Sequence, residues 1–291
     1  MKKMKILLTG SQGQLGQSII ECAKQFDVEL ISCDRKTLDI TDMSAVQKIV
    51  GASKPEAIIN AAAYTAVDKA ESESDKAFAV NSLGPENLAK IANDLNIPMI
   101  HFSTDYVFDG EKSSAYVESD VTNPLGVYAQ SKLAGEDAVR KYCEKYIILR
   151  VSWVFGEYGN NFVKSILRLM KEHEVLNIVS DQSGCPTYAG DIAKTALEII
   201  QTSKQWGTYH YTGSPGVTRL NFVKAIYAEA LKYSQLQTKV INPIKTIDYP
   251  TPAKRPLNSV LDCHLFEKTF NITLQPWQNG LKKTLEKISH D

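Results

Sequence analysis

A tyrosine and a lysine stand four residues apart, at Tyr128 and Lys132. In a helix this spacing places both side chains on one face. A free phenol has a pKa of about 10 and exchanges protons poorly at neutral pH, whereas an ammonium group close by favours the phenolate. The pair therefore suits acid–base chemistry, and the lysine could also donate hydrogen bonds to ribose hydroxyls. Because the same spacing is common on surface helices, its meaning depends on the elements around it.

A hydroxyl group at a strand end supports a catalytic role for this pair. Residues 98–103 form an apolar run that predicts a strand, and Thr104 and Asp105 follow it directly. A hydroxyl at that point could orient a substrate carbonyl beside the phenol. His101 lies inside the same run, and we expect it to be a packed core histidine rather than a catalyst.

Three glycines at G-x-x-G-x-x-G spacing follow the first predicted strand. Gly10 would permit a tight turn, Gly13 would let backbone N–H groups approach a pyrophosphate, and Gly16 would let the next helix pack close to the strand. Glycines at this spacing also occur in ordinary loops. The strand before them and the helical apolar face after them, which includes Leu15 and Ile19, favour a nucleotide-binding turn.

Two further strand ends carry residues suited to a dinucleotide. Asp34 follows a predicted strand at residues 28–33 and could bind ribose hydroxyls, and Arg35 beside it could pair with a 2′-phosphate. The alternative there is an exposed polar loop. Asn60 ends a third predicted strand, and the small residues 61–63 would let a ligand pass close to the backbone, unless they begin a tightly packed helix.

Strands alternate with helices along the chain, which predicts an α/β fold with a Rossmann-like, doubly wound parallel sheet. One long helical region is expected over residues 71–96, with a break near Gly84 and Pro85. Two discontinuous domains are expected. Their predicted bounds are 1–155 with about 185–217 for the dinucleotide-binding domain, and about 156–184 with 218–291 for a smaller α/β substrate-binding lobe.

Charge balance and cysteine content narrow the classes of function. The 291 residues include 33 Lys+Arg and 33 Asp+Glu, so the formal net charge is zero. This argues against binding nucleic acid or an acidic membrane through bulk charge. The five cysteines are odd in number and form no C-x-x-C motif, so we expect no disulfide framework, no zinc site and a reducing, cytoplasmic location. No apolar run approaches the length of a membrane span.

Together these features resemble the extended short-chain dehydrogenase/reductase superfamily, which shares the glycine turn and the Tyr-x-x-x-Lys pair. More specific segments, spread over nearly the whole chain, resemble the dTDP-4-dehydrorhamnose reductase family. These segments are residues 13–16, 61–71, 103–108, 150–155, 159–162, 181–187 and 255–259.

The resemblance implies an enzyme that reduces the 4-keto group of dTDP-4-dehydro-L-rhamnose with NAD(P)H, giving dTDP-L-rhamnose for cell-surface polysaccharides. NADPH is the expected cofactor and NADH the alternative. By the same resemblance, Tyr128 would donate the proton, Lys132 would tune it and hold the nicotinamide ribose, and Thr104 would orient the carbonyl.

The resemblance and the strand ends together give two sets of candidate binding residues. The cofactor-binding set is Gly10, Gln12, Gly13, Gln14, Leu15, Gly16, Asp34, Arg35, Asp39, Ile40, Ala61, Ala62, Ala63, Tyr64, Tyr128 and Lys132. The substrate-binding set is Thr65, Val67, Thr104, Asp105, Tyr106, Trp153, Asn161, Gln182, Pro186 and Arg255. Arg255 suits a diphosphate, because a guanidinium fork matches phosphate oxygens.

Two other functions share parts of this pattern. A nucleotide-sugar epimerase or dehydratase has the same glycine turn and Tyr/Lys pair. A dehydratase usually needs an acidic residue beside the strand-end threonine, and here Asp105 follows Thr104 but a glutamate does not. A non-catalytic NADP-binding regulatory subunit is the second alternative. Such proteins tend to lose part of the Tyr/Lys/Thr set, which is complete in this chain.

No metal is expected in this chain. Some members of the family are thought to dimerise around magnesium held by glutamates, and the corresponding positions here are Ser18 and Gly190. Neither supplies the anionic oxygen that a hard divalent cation prefers, although Asp191 is one residue away and could shift in. We therefore expect a monomer, rather than a metal-bridged homodimer, that binds a small nucleotide-sugar.

Overall fold

The structure is a computed structural model that describes residues 3–290, in which strands and helices alternate. The strands, in chain order, are β1 (Met4–Thr9), β2 (Val28–Cys33), β3 (Ala57–Asn60), β4 (Met99–Thr104), β5 (Tyr146–Val151), β6 (Val154–Phe155), β7 (Val175–Val179), β8 (Ser183–Gly184), β9 (Thr187–Tyr188), β10 (Gly207–His210), β11 (Val217–Thr218) and β12 (Val240–Ile244). The helices are α1 (Gln14–Ala23), α2 (Met43–Ser53), α3 (Val67–Ala70), α4 (Ser74–Phe78), α5 (Gly84–Asp94), α6 (Val127–Tyr142), α7 (Phe162–Glu172), α8 (Ala189–Thr202), α9 (Arg219–Ala230), α10 (His264–Phe270) and α11 (Trp277–His290).

Six of these strands form one parallel sheet in the order β10-β5-β4-β3-β1-β2. The doubly wound parallel α/β sheet expected from the alternating pattern is therefore confirmed. The register pairs Thr9 with Asn60, and Thr104 with Val151. Because parallel strands end at the same edge, the polar residues at their carboxyl ends lie along one crevice, where ligands bind in such folds.

The sheet is buried on both faces, since successive strand residues point to opposite sides. Ile6 and Leu8 belong to the same buried cluster as Ile192 of α8, whereas Leu7 between them packs with Leu88 of α5 on the other face. Burying each such side chain contributes about 1.5–3 kcal/mol relative to exposure. This explains why β1 is a continuous apolar run rather than an alternating one.

The smaller lobe has its own core, formed where α7, α9 and α11 pack beside the parallel pair β7–β12. Phe222 and Trp277 lie at its centre with ring centroids 5.3 Å apart. Helix α10, although inside the predicted small-lobe range 218–291, places Phe266 against Tyr211 in the core of the large sheet. The predicted domain bounds therefore stay a prediction, although α10 packs against the core of the larger lobe.

The helical region expected over residues 71–96 is interrupted by a π turn at Ala79–Leu83, just before Gly84. Within that turn, the Asn81 side-chain amide accepts a hydrogen bond from the backbone N–H of Tyr64 and donates to its carbonyl and to the Ser131 hydroxyl, at 2.8, 3.0 and 2.9 Å. The turn therefore joins the loop after β3 to helix α6.

Within residues 3–290, no helix is both long enough and apolar enough to cross a membrane. All five cysteines are free thiols.

Candidate active site

The Tyr128/Lys132 pair lies in the first turns of α6, beside the end of β4. The Lys132 side chain is 2% exposed, and its Nζ donates a 2.6 Å hydrogen bond to the Phe102 carbonyl. The ring of Tyr128 packs edge-on against Tyr106, with centroids 6.3 Å apart. Thr104 ends β4, so the structure brings the hydroxyl, phenol and ammonium groups to one end of the sheet.

Burial is the main cause of the pKa shifts of both Tyr128 and Lys132. It raises the pKa of the Tyr128 phenol well above its usual value, although hydrogen bonding with Thr104 acts in the opposite direction. Burial also lowers the pKa of Lys132 to about 8. The net shift of the Tyr128 pKa is therefore upward, opposite to the direction that a nearby ammonium group alone would give. The phenol stays protonated at neutral pH, which suits a proton donor.

Asp105 lies directly beneath the strand-end threonine. It accepts hydrogen bonds from the hydroxyls of Thr104 and Ser152, at 3.1 and 2.8 Å, and is 2% exposed. Burial raises its pKa to about 6, even though these hydrogen bonds act to lower it. The carboxyl group thus fixes the orientation of the Thr104 hydroxyl, and its own charge state changes near neutral pH.

A cleft of about 250 Å³ opens beside this group, at the carboxyl ends of β1, β2 and β3. Eleven of the predicted cofactor residues line it, namely Gly10, Gln12, Gly13, Asp34, Arg35, Asp39, Ile40, Ala61, Ala62, Ala63 and Tyr64. Leu38, Lys76 and Val80 also line it and were not predicted. Their side chains reach the cleft from the segment after β2 and from the helical region after β3.

The glycine turn has the geometry that a dinucleotide needs. Gly10 has φ +69°, and a Cβ there would meet the backbone of Ala61 and Ala62. A Cβ on Gly16 would overlap the Gly10 carbonyl, so α1 packs directly onto the turn. The cleft walls are therefore backbone and small side chains, which fits NAD(P)H phosphates at the α1 N-terminus.

Three other predicted cofactor residues build the turn without lining the cleft. Gly16 packs on it as described, and Leu15 packs against the sheet core. Gln14 donates to the Val154 carbonyl at 3.3 Å and accepts from Asn161 at 2.7 Å. The turn is thereby tied to the loop that begins the smaller lobe.

Asp34 and Arg35 follow β2 at the cleft mouth. The Asp34 Oδ1 atom accepts hydrogen bonds from the backbone of Lys36 and Thr37 and from the Thr37 hydroxyl, at 3.0, 2.9 and 2.9 Å. The Thr37 hydrogen bonds are the main cause of its lowered pKa. Oδ2 makes no hydrogen bond with residues 3–290, and Arg35 is exposed.

Trp153 follows β5 with φ +43°, a left-handed conformation that is unusual for a bulky residue. A Cβ on Gly184 would overlap the Trp153 indole, so the ring lies directly against the backbone of β8. Arg219, at the start of α9, lies over the Trp153 ring, with Cζ 4.5 Å from the indole centroid. Strained residues of this kind cluster at ligand sites.

The remaining predicted substrate residues fall into two groups. Val67 lines a small cavity together with Tyr106 and Tyr128, and exposed Thr65 lies just before it. Pro186 is buried, and its carbonyl lies so close to Gly213 that a Cβ there would overlap it. Asn161 caps α7 and uses both amide hydrogens inside the protein, on Gln14 and Gly156, so it links the lobes and leaves no amide hydrogen for a ligand.

Arg255 reaches across from the smaller lobe to Asp68. Its two Nη atoms lie 3.1 and 2.8 Å from the two carboxylate oxygens, in a bidentate pair. This hydrogen bonding is the main cause of the lowered Asp68 pKa. The guanidinium that the sequence assigned to a diphosphate is thus already paired with a carboxylate.

Comparison with known proteins assigns the chain to a family. The family model described as the RmlD substrate binding domain matches residues 4–290. The chain belongs to the RmlD family. It is 45% identical over 285 residues to a dTDP-4-dehydrorhamnose reductase of Aggregatibacter actinomycetemcomitans, covering 96% of this chain and 97% of that protein.

Two solved structures have the same fold as this RmlD-family chain. A dTDP-4-dehydrorhamnose reductase of Bacillus anthracis, crystallised with NADP, is 35% identical with a TM-score of 0.92, over 98% of this chain and 99% of that one. The orthologue from Clostridium acetobutylicum is 40% identical with a TM-score of 0.93, over the same shares.

Sequence reasoning missed two cations of this RmlD-family site. Lys76 lines the cofactor cleft beside Tyr64, with Nζ 5.5 Å from the ring centroid and 2.8 Å from Glu73. No motif marks it, because its position depends on how α4 packs. For Arg219 the sequence offers one signal, the helix N-cap residue Thr218 directly before it. The Thr218 hydroxyl accepts a 3.2 Å hydrogen bond from the backbone N–H of Asn221.

Proposed function

We propose that this chain reduces the 4-keto group of dTDP-4-dehydro-L-rhamnose with NADPH to give dTDP-L-rhamnose. The observation that carries the proposal is the placement of Thr104, Tyr128 and Lys132 together at the edge of a sheet whose neighbouring strand ends form a dinucleotide cleft. The family and the names of its relatives, one of them crystallised with NADP, supply the substrate class.

NADPH, when bound in the cleft, supplies the hydride. The chain's own residues supply the rest of the chemistry. The Thr104 hydroxyl donates its one proton to Asp105 in the structure and turns it to the carbonyl oxygen to orient the substrate. The Tyr128 phenol donates its proton to the same oxygen as it becomes the C4 hydroxyl. Lys132, held by the Phe102 carbonyl, places a positive charge beneath the phenolate that remains and donates to ribose hydroxyls.

Both nicotinamide cofactors fit the cleft mouth, with NADPH preferred. The unbonded Oδ2 of Asp34 suits the ribose hydroxyl of NADH, whereas the Arg35 guanidinium suits the 2′-phosphate of NADPH. Lys76 is a second cation in the same cleft, but its Nζ is already paired with Glu73 at 2.8 Å, so the preference for the phosphorylated cofactor rests on Arg35.

The proposal is tested by mixing the protein with NADPH and the 4-ketosugar nucleotide and following the absorbance of the reduced nicotinamide. We expect stoichiometric oxidation of NADPH and one dTDP-L-rhamnose per NADPH. An epimerase or dehydratase returns its hydride within one cycle and would consume none, and a regulatory subunit would bind NADPH without turnover. Either result contradicts the proposal.

We further propose that the protein acts as a cytoplasmic monomer. Its five free thiols suit a reducing compartment. At the position of one family magnesium ligand, Ser18 donates to the Gln14 carbonyl at 3.1 Å, and at the other a Cβ on Gly190 would overlap the Tyr188 ring.

A further inference from the structure

Arg219 is a partly buried cation that has no anionic partner. None of the Asp or Glu oxygens that the structure describes lies within 4.0 Å of its guanidinium. Its Nε donates to the Gln182 side chain at 3.1 Å, and its backbone N–H donates to the Gln182 carbonyl at 2.8 Å. Its other polar neighbour is the hydroxyl of Tyr106, which carries no charge at neutral pH. Buried charges in proteins are normally paired, so this one is built to meet an anion.

Two aromatic rings fix the plane of the guanidinium. Its Cζ lies 4.5 Å from the Trp153 ring centroid and 4.9 Å from that of Phe162. Stacking of this kind satisfies the faces of the group and leaves only its edge for hydrogen bonds. Because Gln182 holds the Nε side, the edge left for an anion is the pair of Nη groups, whose recorded neighbour is the uncharged Tyr106 hydroxyl. This fork can bind phosphate oxygens in a bidentate manner.

The surroundings of Arg219 place this fork beside the reaction centre. Tyr106, whose ring contacts Tyr128, forms a side-chain hydrogen bond with Arg219, and the charge of Asp105 also acts on Arg219. Arg219 and Arg255 both act on the Tyr106 hydroxyl. Arg255 is neutralised by Asp68, so Arg219 supplies the uncompensated positive charge of this part of the site.

We propose that Arg219 is the residue that binds the diphosphate of the nucleotide-sugar, with Trp153, Phe162 and Gln182 holding it in place. The inference rests on the proposed function, since that function supplies a ligand in which a diphosphate joins the sugar to the nucleoside. Arg255 then acts mainly as a link between the lobes, paired with Asp68.

Binding of dTDP and of thymidine to the full-length protein separates this role from a structural one. Arg219→Ala should weaken dTDP binding roughly 10- to 100-fold, as expected for lost charge-assisted hydrogen bonds, and thymidine binding less than about threefold. Arg219→Lys should fall between, because it keeps the charge and loses the fork. Arg168→Ala, an exposed arginine of α7, is the matched control and should bind both as the wild type does.

Calorimetry with dTDP, and competition by thymidine, give these constants without turnover. Equal losses for dTDP and thymidine would mean that Arg219 only shapes the pocket, and unchanged dTDP binding would mean that the diphosphate lies elsewhere; either overturns the inference. In the assay, Arg219→Ala should raise KM more than it lowers kcat. If Arg219→Ala weakens dTDP binding as expected but the wild-type protein does not reduce the ketosugar, the proposed function is contradicted and the inference about Arg219 is not.

Discussion

At the scale of single residues, Tyr128 should be the proton donor. Tyr128→Phe keeps the ring and removes the proton, so it should lower kcat by roughly 10²–10⁴ while NADPH binding is retained. Tyr142→Phe, at the far end of the same helix α6, is the control and should leave kcat unchanged. Turnover and cofactor fluorescence measure the two effects. Wild-type turnover in Tyr128→Phe would rule out this role.

Arg35 should set the cofactor preference. Its guanidinium lies where a 2′-phosphate would enter the cleft, so Arg35→Ala should weaken NADPH binding roughly tenfold or more, and NADH binding much less. Lys36→Ala changes the neighbouring exposed cation, which does not line the cleft, and serves as control. Titration with each reduced cofactor measures the ratio. An equal loss for both would contradict the pairing with the phosphate.

Asp105 should make stability fall as pH rises from about 4 to about 6. Burial raises its pKa from 3.8 to about 6, so over this range the folded protein holds a proton that the unfolded chain has lost. Above about pH 6 the buried carboxylate is charged. The free energy of unfolding is then lower by an amount that approaches about 3 kcal/mol, since each pKa unit corresponds to about 1.4 kcal/mol.

Urea unfolding at several pH values tests this with Asp105→Asn. The variant has no charge to bury, so its stability relative to the wild type should rise between pH 4 and pH 6, by at most about 3 kcal/mol. Asp94→Asn, which removes an exposed carboxylate at the end of α5, should show no such rise. Parallel curves for wild type and Asp105→Asn would contradict the assignment.

At the scale of elements, the contact between α6 and the π turn positions the catalytic pair. A Cβ on Gly135 of α6 would overlap the carbonyl of Asn81 in that turn. Gly135→Ala should therefore destabilise the protein by about 1–3 kcal/mol, despite the better helix propensity of alanine, and should lower kcat by moving α6.

Gly51→Ala is a matched comparison, because Gly51 also lies inside a helix, α2, but has open space around it. It should stabilise the protein by about 0.5–1 kcal/mol and leave kcat unchanged. Urea unfolding and turnover assays measure both variants. If Gly135→Ala is as stable as Gly51→Ala, the helix is not held against the turn in the way described.

Local patterns predict the sheet but not this contact. The apolar runs that end in Gly10, Asn60 and Thr104 carry their own signal, because a strand buried on both faces must be apolar throughout. The π turn at Ala79–Leu83 has no such signal, since it exists to let Asn81 reach Tyr64 and Ser131 in other elements.

The roles of single residues likewise divide into those that local sequence predicts and those that depend on tertiary packing. The i, i+4 spacing of Tyr128 and Lys132 is local and could be read directly, but the pKa of each depends on burial, which no spacing reports. Arg255 was predicted at the diphosphate from the family resemblance, supported by its residue type, and its pairing with Asp68 emerges only when the two lobes meet. Arg219 was missed because its significance lies in the partner that it lacks.

At the scale of the whole molecule, the two lobes are joined at several points around the crevice. Asn161 ties the start of α7 to Gln14 in the glycine turn, and Arg255 ties the segment before α10 to Asp68. The Arg255–Asp68 pair is partly exposed, with side chains 21% and 41% accessible, so it contributes at most about 1 kcal/mol to stability. Its role is to fix where the smaller lobe stands over the site.

We predict a monomer whose activity needs no divalent cation, because Ser18 and Gly190 replace the glutamates thought to hold magnesium between subunits in some relatives. The proposed chemistry also gives a metal no task, since the hydride comes from the nicotinamide and the proton from Tyr128. Asp191, whose pKa is raised by burial, follows Gly190 directly in the sequence and is the carboxyl group expected to replace them if any does.

Light scattering and turnover should therefore be measured with excess chelator and again with added magnesium. Mass and kcat should be the same in both, and Asp191→Asn should respond in the same way as the wild type. A dimer that dissociates with chelator, with activity falling alongside, would show that other oxygens replace the missing glutamates. If Asp191→Asn then abolished the magnesium response, Asp191 would be one of these oxygen ligands, because a hard cation binds much more weakly once an anionic ligand is removed.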